Sequence, residues 1–300
     1  MRSVLALAAA AVAFGQPQQE TVWAPKPKRL PAYTAPHRPH VKLSDLDAKF
    51  RGKADWRETV MDDEHMKAEY VSAAPGTKSA PRFHPDTREW WMVLRGEMRF
   101  RIQGQAEIVA RKGSMVQVPM QTIYSWEVTG SEPALRLEVN IAQAKTLFPK
   151  DVSPPPMPGF DWIQVKMPWR PVPYDKVNRP HQTFAEFESR VKYDHRGLSV
   201  EPVVADDRGA MNFIYGFEKN IAPLDPKDPG HYHPECAEAW IIAKGQMRYG
   251  IEGHGVVIAN EGDFVYVPKF LFHSPRFHGE GPSCRISLNG YPKISHLAAH

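Results

Sequence analysis

Two cysteines in 300 residues, Cys236 and Cys284, are too few to staple a small disulfide scaffold. They are read as two buried thiols, with a bond between them as the alternative in an oxidising compartment. Charge of one sign is also scarce. The formal net charge is only +4, and no dense Lys/Arg patch with interleaved aromatics stands out, so no nucleic-acid partner is expected. Apolar runs are short. None reaches the roughly 20 residues that cross a bilayer, so no membrane span is expected. The hydrophobic fraction of 42% and charged fraction of 24% are those of an ordinary soluble globular chain of one or two domains.

Proline is plentiful at 29 residues, but it is clustered. Residues 1–15 combine Met1-Arg2-Ser3, an apolar run from Val4 to Phe14 and the small-x-small site Ala13-Phe14-Gly15, the layout of a signal peptide. A periplasmic or secreted location is therefore expected. Residues 16–42 are rich in Pro, Lys and Gln without apolar period and form an exposed arm, whose Trp23 and Tyr33 are candidates to pack on a barrel or a partner subunit. A second such stretch, residues 148–182, carries Pro154-Pro155-Pro156, Trp162, Trp169 and Pro171. Its prolines exclude a central strand, and its aromatics suggest packing along a folded unit. Short helices are expected at Leu43 to Phe50, started by Ser44, and at Thr183 to Val191.

The chain repeats itself at an offset of 149 residues. His84-Pro85, Glu89, Trp91 and Gly96 match His233-Pro234, Glu238, Trp240 and Gly245. The same offset joins Gly113 to Gly262, Pro119 to Pro268, Arg136 to Arg285 and Asn140 to Asn289 without a gap. Short β-branched or aromatic segments with glycine turns fill both copies, among them Trp90 to Leu94, Met98 to Ile102, Ala239 to Ala243 and Phe264 to Val267. They predict an all-β chain of two barrels or jelly rolls, 43–147 and 183–300.

Chemistry concentrates in the second copy. Gly230-His231-Tyr232-His233 is followed by Glu238 and Gly245, and Gly262 by Pro268 and His273. Residues two apart on a strand share a face, so His231 and His233 point the same way. Three imidazoles and a carboxylate form a ligand set for Mn, Fe, Ni, Cu or Zn. In the first copy Arg82 stands at the place of His231 and Tyr124 at that of His273, leaving only His84 and Glu89. Arginine is a permanent cation and a very poor ligand. A pairing of Arg82 with Glu89 as a structural replacement for a metal is expected, with the holding of an anionic group as the alternative.

These spacings resemble the two cupin motifs, and the repeat makes the chain similar to a bicupin: two tandem double-stranded β-helix barrels with short flanking helices. The resemblance implies that His231, His233, Glu238 and His273 hold one divalent transition metal. Two positions depart from the motifs: Phe270 replaces the glycine after Pro268, and Phe277 replaces a terminal asparagine. A six-coordinate ion with four protein ligands keeps two positions for a bidentate small-molecule substrate. The family spans dioxygenases, oxalate-processing enzymes, isomerases and non-enzymatic binders, so the resemblance implies a site rather than a reaction. The expected function is a dioxygenase-like oxidoreductase on a small aromatic or enolic substrate, with Trp240, Met247, Tyr249, Phe264, Tyr266, Phe270 and Phe272 as candidate pocket walls. The alternatives are an oxalate decarboxylase or oxidase, and a non-catalytic binder of carbohydrate or small acids. The oxalate reading needs a cation and an acid. Arg248 and Arg285 are candidate cations and Glu235 a candidate acid, although the shared Arg99 and Arg136 of the first copy argue for structural arginines. A homo-oligomer is left open.

Overall fold

The computed structural model describes residues 20–299 except residue 292. The expected leader, 1–15, lies outside the described residues. The first half runs β1 (His40–Val41), α1 (Leu43–Lys49), β2 (Trp56–Asp62), β3 (Met66–Ala73), β4 (Glu89–Arg95), β5 (Glu97–Ile102), β6 (Ile108–Arg111), β7 (Ser114–Val118), β8 (Tyr124–Val128) and β9 (Ala134–Ile141). The second runs β10 (His181–Thr183), α2 (Phe184–Ser189), β11 (Leu198–Ala205), β12 (Ala210–Gly216), β13 (His231–Tyr232), β14 (Glu238–Lys244), β15 (Gln246–Ile251), β16 (Gly255–Asn260), β17 (Phe264–Val267), β18 (His273–His278), β19 (Ser283–Asn289) and β20 (Leu297–Ala298).

Each half is a double-sheet barrel. The first pairs the sheet β10-β7-β4-β9-β3-β2 with β6-β5-β8, and the second pairs β1-β17-β14-β19-β12-β11 with β16-β15-β18-β13-β20. Alternation along the strands sends one side chain inward and the next outward. Trp91, Val93, Met98, Phe100 and Val116 fill the first barrel, and Trp240, Ile242, Met247, Tyr249 and Val265 the second. The outward set of both large sheets, including Trp90, Met92, Leu137, Phe213, Ile241 and Ile286, forms one shared core between the barrels. At roughly 1.5–3 kcal/mol per buried large side chain, this shared core ties the barrels into one body.

The barrels also exchange edge strands. β1, which precedes the first barrel, pairs with β17 of the second (His40 opposite Val265), and β10, which precedes the second, pairs with β7 of the first (His181 opposite Val116). Val116 and Val265 are repeat partners, so the exchange is reciprocal. Each covers an edge that would otherwise expose unpaired backbone groups. His40 Nε2 meets Asp263 Oδ2 at 2.8 Å, and His181 Nε2 meets Ser114 Oγ at 3.2 Å, again at repeat-equivalent positions.

The arm is not free. Lys26 Nζ donates to Glu252 and to the Phe270 carbonyl, and Tyr33 donates to the Tyr266 carbonyl, all in the second barrel. Trp23 is fully exposed. In the second proline-rich stretch, Trp169 packs edge-on against Phe83 of the first barrel. α1 starts two residues earlier than a Ser44 cap requires. Its N-cap is Lys42 without a side-chain bond, and the free Leu43 N–H is taken by Asp263 from the second barrel. α2 is closed by a capping box between Thr183 and Glu186. Cys236 and Cys284 are buried free thiols. No helix among the described residues is long and apolar enough to cross a membrane.

Candidate metal centre

β13 carries His231 and abuts β18 so that His231 lies directly opposite His273. That approach depends on Gly230. Its φ is +87°, and a Cβ there would lie 2.0 Å from the His273 carbonyl oxygen. Glu238 opens β14 from the large sheet, and His233 follows β13. Phe270, at the position where a cupin motif has glycine, adopts φ 70°. Its N–H donates to the His233 carbonyl and its own carbonyl accepts from Lys26, so the turn before His273 is held at both ends. Gln121, its repeat partner, has φ 56°.

The four side chains converge, with one ligand atom from each lying within 4.8 Å of every other. Glu238 Oε2 is the hub, 2.9 Å from His233 Nε2, 3.2 Å from His273 Nε2 and 3.9 Å from His231 Nε2. His233, His273 and Glu238 are buried, and His231 is partly open. His233 Nδ1 donates to the Ser295 carbonyl at 2.7 Å and His273 Nδ1 to the Leu271 carbonyl at 2.9 Å. A carbonyl can only accept, so each Nδ1 carries the hydrogen, and in the neutral ring Nε2 presents its lone pair. Two lone-pair acceptors 2.9–3.2 Å apart require a positive charge between them. Imidazole nitrogens oriented from behind by carbonyls and arranged around one carboxylate oxygen are the donor set of a divalent metal site. The residues therefore fit a metal.

The electrostatics agree. Burial opposes ionisation of Glu238, but the surrounding His231, His233 and His273 outweigh it and hold the carboxyl well below its usual range. Burial pushes His231 down despite its contact with Glu238. For His233, burial acts in the same direction but the Glu238 bond and charge prevail, so its value is raised. Trp240 lies edge-on to His273, with ring centroids 5.4 Å apart.

The first barrel shows the same place without the ligand set. Arg82 Nη2 is 3.7 Å from Glu89 Oε1, His84 Nε2 is 2.7 Å from Glu89 Oε2, and the Tyr124 hydroxyl donates to Glu89. Arg82 Nε donates to the Tyr124 oxygen at 2.9 Å. The expected Arg82–Glu89 pairing is present, and the Tyr124 phenol completes it. Burial opposes the Glu89 charge, but the His84 hydrogen bond and the Arg82 charge hold its carboxyl down at about 2.

The Cupin domain model matches residues 69–140 and 218–288, one match in each barrel. The chain is a two-barrel cupin. Similar solved structures include a salicylate 1,2-dioxygenase from Pseudaminobacter salicylatoxidans (13% identity, 85% of this chain and 87% of that one, TM-score 0.61). A Cupin 2 conserved barrel domain protein from Leptotrichia buccalis (12%, 84% and 95%, 0.58) is another. Oxalate decarboxylase from Bacillus subtilis is a third (16%, 89% and 79%, 0.53). At these identities the likeness is one of fold. No curated protein sequence matches the chain.

Of the candidate pocket walls of this bicupin, Trp240, Met247 and Tyr249 lie inside the second barrel. Phe264 and Tyr266 do not; they alternate with inward Val265 and Val267 and belong to the core between barrels. Phe272 packs on Tyr232, and Phe270 lies near the same ring. Glu235, the candidate acid, accepts from the Ser295 hydroxyl at 2.6 Å. Arg248 alternates with inward Met247 and Tyr249 and faces outward, whereas Arg285 points into the barrel. Sequence reasoning missed the C-terminal segment. β20 pairs with β13, the Ser295 carbonyl orients His233, and the His296 ring lies 4.7 Å from that of His233 and 4.9 Å from that of His231. No motif covers this segment; only its histidine offered a signal.

Proposed function

We propose that this chain is an exported, metal-dependent oxidoreductase of dioxygenase type that acts on a small aromatic or enolic substrate at His231, His233, Glu238 and His273. The observation that carries the reading is the set of Nε2 lone pairs gathered around Glu238 in one barrel and not in the other. When bound there, a redox-active divalent metal such as Fe or Mn supplies electron transfer between a chelating substrate and O₂.

The chain's own residues set the conditions. Glu238 contributes the one negative charge among three neutral donors. The Ser295 and Leu271 carbonyls fix the tautomers of His233 and His273. Trp240, Met247, Ile251 and Val267 line the interior and exclude water from it, which suits a flat apolar substrate. His296 lies over the half-open His231 side, where a substrate has to enter. Oxalate chemistry is less well supported, because Glu235, its candidate acid, is engaged with Ser295, even though Arg285 points into the barrel.

Oxygen uptake by Fe- or Mn-loaded protein tests the proposal, with catechol, gentisate, flavonols and salicylate as substrates; salicylate enters because a structural neighbour acts on it. Uptake with one of these that disappears in H273A supports the reading. No uptake with any, alongside saturable ligand stabilisation, favours a binding protein. Export is tested by N-terminal sequencing of the protein from the periplasmic or secreted fraction, where a start at Gln16 is expected and an intact Met1 would contradict it.

A further inference from the structure

Both barrels bury an arginine at the same place, Arg136 and Arg285, but only the first gives it a carboxylate; Arg285 has the Phe277 ring 5.7 Å from its guanidinium. Arg136 Nε and Nη2 bond Glu138 at 2.8 and 2.6 Å. Arg57 reaches the same Glu138 at 3.5 Å and also bonds Glu69. Two arginines and two carboxylates thus neutralise one another. The Trp126 ring lies 4.2 Å from the Arg136 guanidinium and fills the remaining space.

The strand registers identify the equivalents in the second barrel. Arg57, opposite Val71 and thence Arg136, corresponds to Val200, opposite Ile214 and thence Arg285. Glu69 and Glu138 correspond to Asn212 and Ser287. Trp126, opposite Phe100, corresponds to Pro275, opposite Tyr249. Both carboxylates and the tryptophan are gone. Among the described residues Arg285 makes no ion pair, and its Nε has no hydrogen-bond partner although the residue is only 7% exposed. The Ser287 and Tyr249 hydroxyls, both buried in the same barrel, also lack partners.

Space has opened where the tryptophan was. A cavity of about 450 Å³ is bounded by Arg285, Pro275, Phe277, Leu198 and Ile221. Arg196 and Arg276 also line it, but Arg196 is paired with Asp194 and Arg276 donates to the Ala222 carbonyl. The backbone of Arg285 stands farther along the barrel than the metal ligands, while its buried guanidinium still feels the Glu238 charge. Glu238 lies opposite Asn289 and Ile242 opposite Arg285, four residues or about 13 Å farther along the strands.

We infer that this cavity is a second ligand site, which binds a small organic carboxylate with its charge on Arg285 and its apolar body against Pro275, Phe277, Leu198 and Ile221. A buried unpaired cation is costly until an anion joins it. The planar guanidinium matches a carboxylate in two parallel bonds. The apolar surfaces of Pro275, Phe277, Leu198 and Ile221 beside the Arg285 guanidinium favour a carboxylate with a hydrophobic flank over a strongly hydrated phosphate.

The test is isothermal titration of the metal-loaded full chain with benzoate and hexanoate, and with benzamide as the neutral control. Wild type is expected to bind one of the carboxylates saturably and not benzamide. Affinity should fall at least tenfold in R285M. The variant S287E restores the carboxylate of the first barrel; it should lose carboxylate binding and melt at a higher temperature than wild type without ligand. Binding should persist in H233A. The inference is overturned if neither carboxylate binds wild type at millimolar concentration, or if S287E binds as tightly as wild type. It is equally overturned if binding disappears in H233A but survives in R285M, because the carboxylate then sits on the metal.

Discussion

The Tyr124 hydroxyl donates to the Glu89 carboxylate from the position that His273 holds in the second barrel. Arg82, at the position of His231, approaches the same carboxylate. A phenol and a guanidinium together replace two imidazoles and an ion. One barrel satisfies its buried glutamate with its own side chains, and the other keeps its glutamate for a cation.

This difference predicts a pH dependence. The Glu89 carboxyl is held at about 2 in the folded chain and lies at about 4.3 when unfolded. The unfolded state therefore binds more protons between these values, so stability rises with pH across that window. Glu89 should contribute a few kcal/mol, fully present above about pH 4.3 and lost as pH falls toward 2. Denaturant melts of metal-free wild type and E89Q from pH 6 to pH 2.5 check it. The gap between them should be wide at pH 6 and narrow on acidification; a constant gap would contradict the assignment.

Restoring the missing ligands should restore a site. The double variant R82H/Y124H places imidazoles opposite His84 and Glu89, and His84 Nδ1 already donates to the Lys145 carbonyl at 2.8 Å, as His233 Nδ1 does to Ser295. Metal analysis should find a second ion per chain in this variant.

The C-terminal segment should matter to a site that lies far from it in sequence. Deleting residues 295–300 removes the carbonyl that orients His233. Loss of such an orienting bond typically lowers metal affinity by about 10–100-fold. Competition with a chromogenic chelator measures this, while an unchanged far-UV spectrum shows that the barrel has kept its fold.

Cys236 and Cys284 are buried free thiols, and burial pushes the Cys236 thiol up to about 12. Neither should react with a thiol reagent in the native protein. Both should react in guanidinium without prior reduction, and their failure to do so would indicate a bond.

The barrels were legible in the sequence because their strands are apolar and their turns carry glycine; the ligands were legible because His231 and His233 obey the two-residue period of a strand. Other elements owe their form to distant partners. β1 and β10 lie in proline-rich stretches and become strands by adding to the edge of the other barrel. β18 contains Pro275 and Arg276 and lacks a strand's composition, yet it is held in register by β15. The shared position of Arg136 and Arg285 suggested one structural role for both. The 149-residue offset sets Ser287 at the place of Glu138, but only the structure shows that Glu138 is the partner of Arg136.

The central claim is that one barrel binds metal and the other does not. Elemental analysis of protein purified without added metal tests it, on wild type, H233A, H273A and H84A. One ion per chain is expected in wild type and in H84A, and close to none in H233A and H273A. Two ions in wild type, or a loss from H84A equal to that from H233A, would contradict the claim.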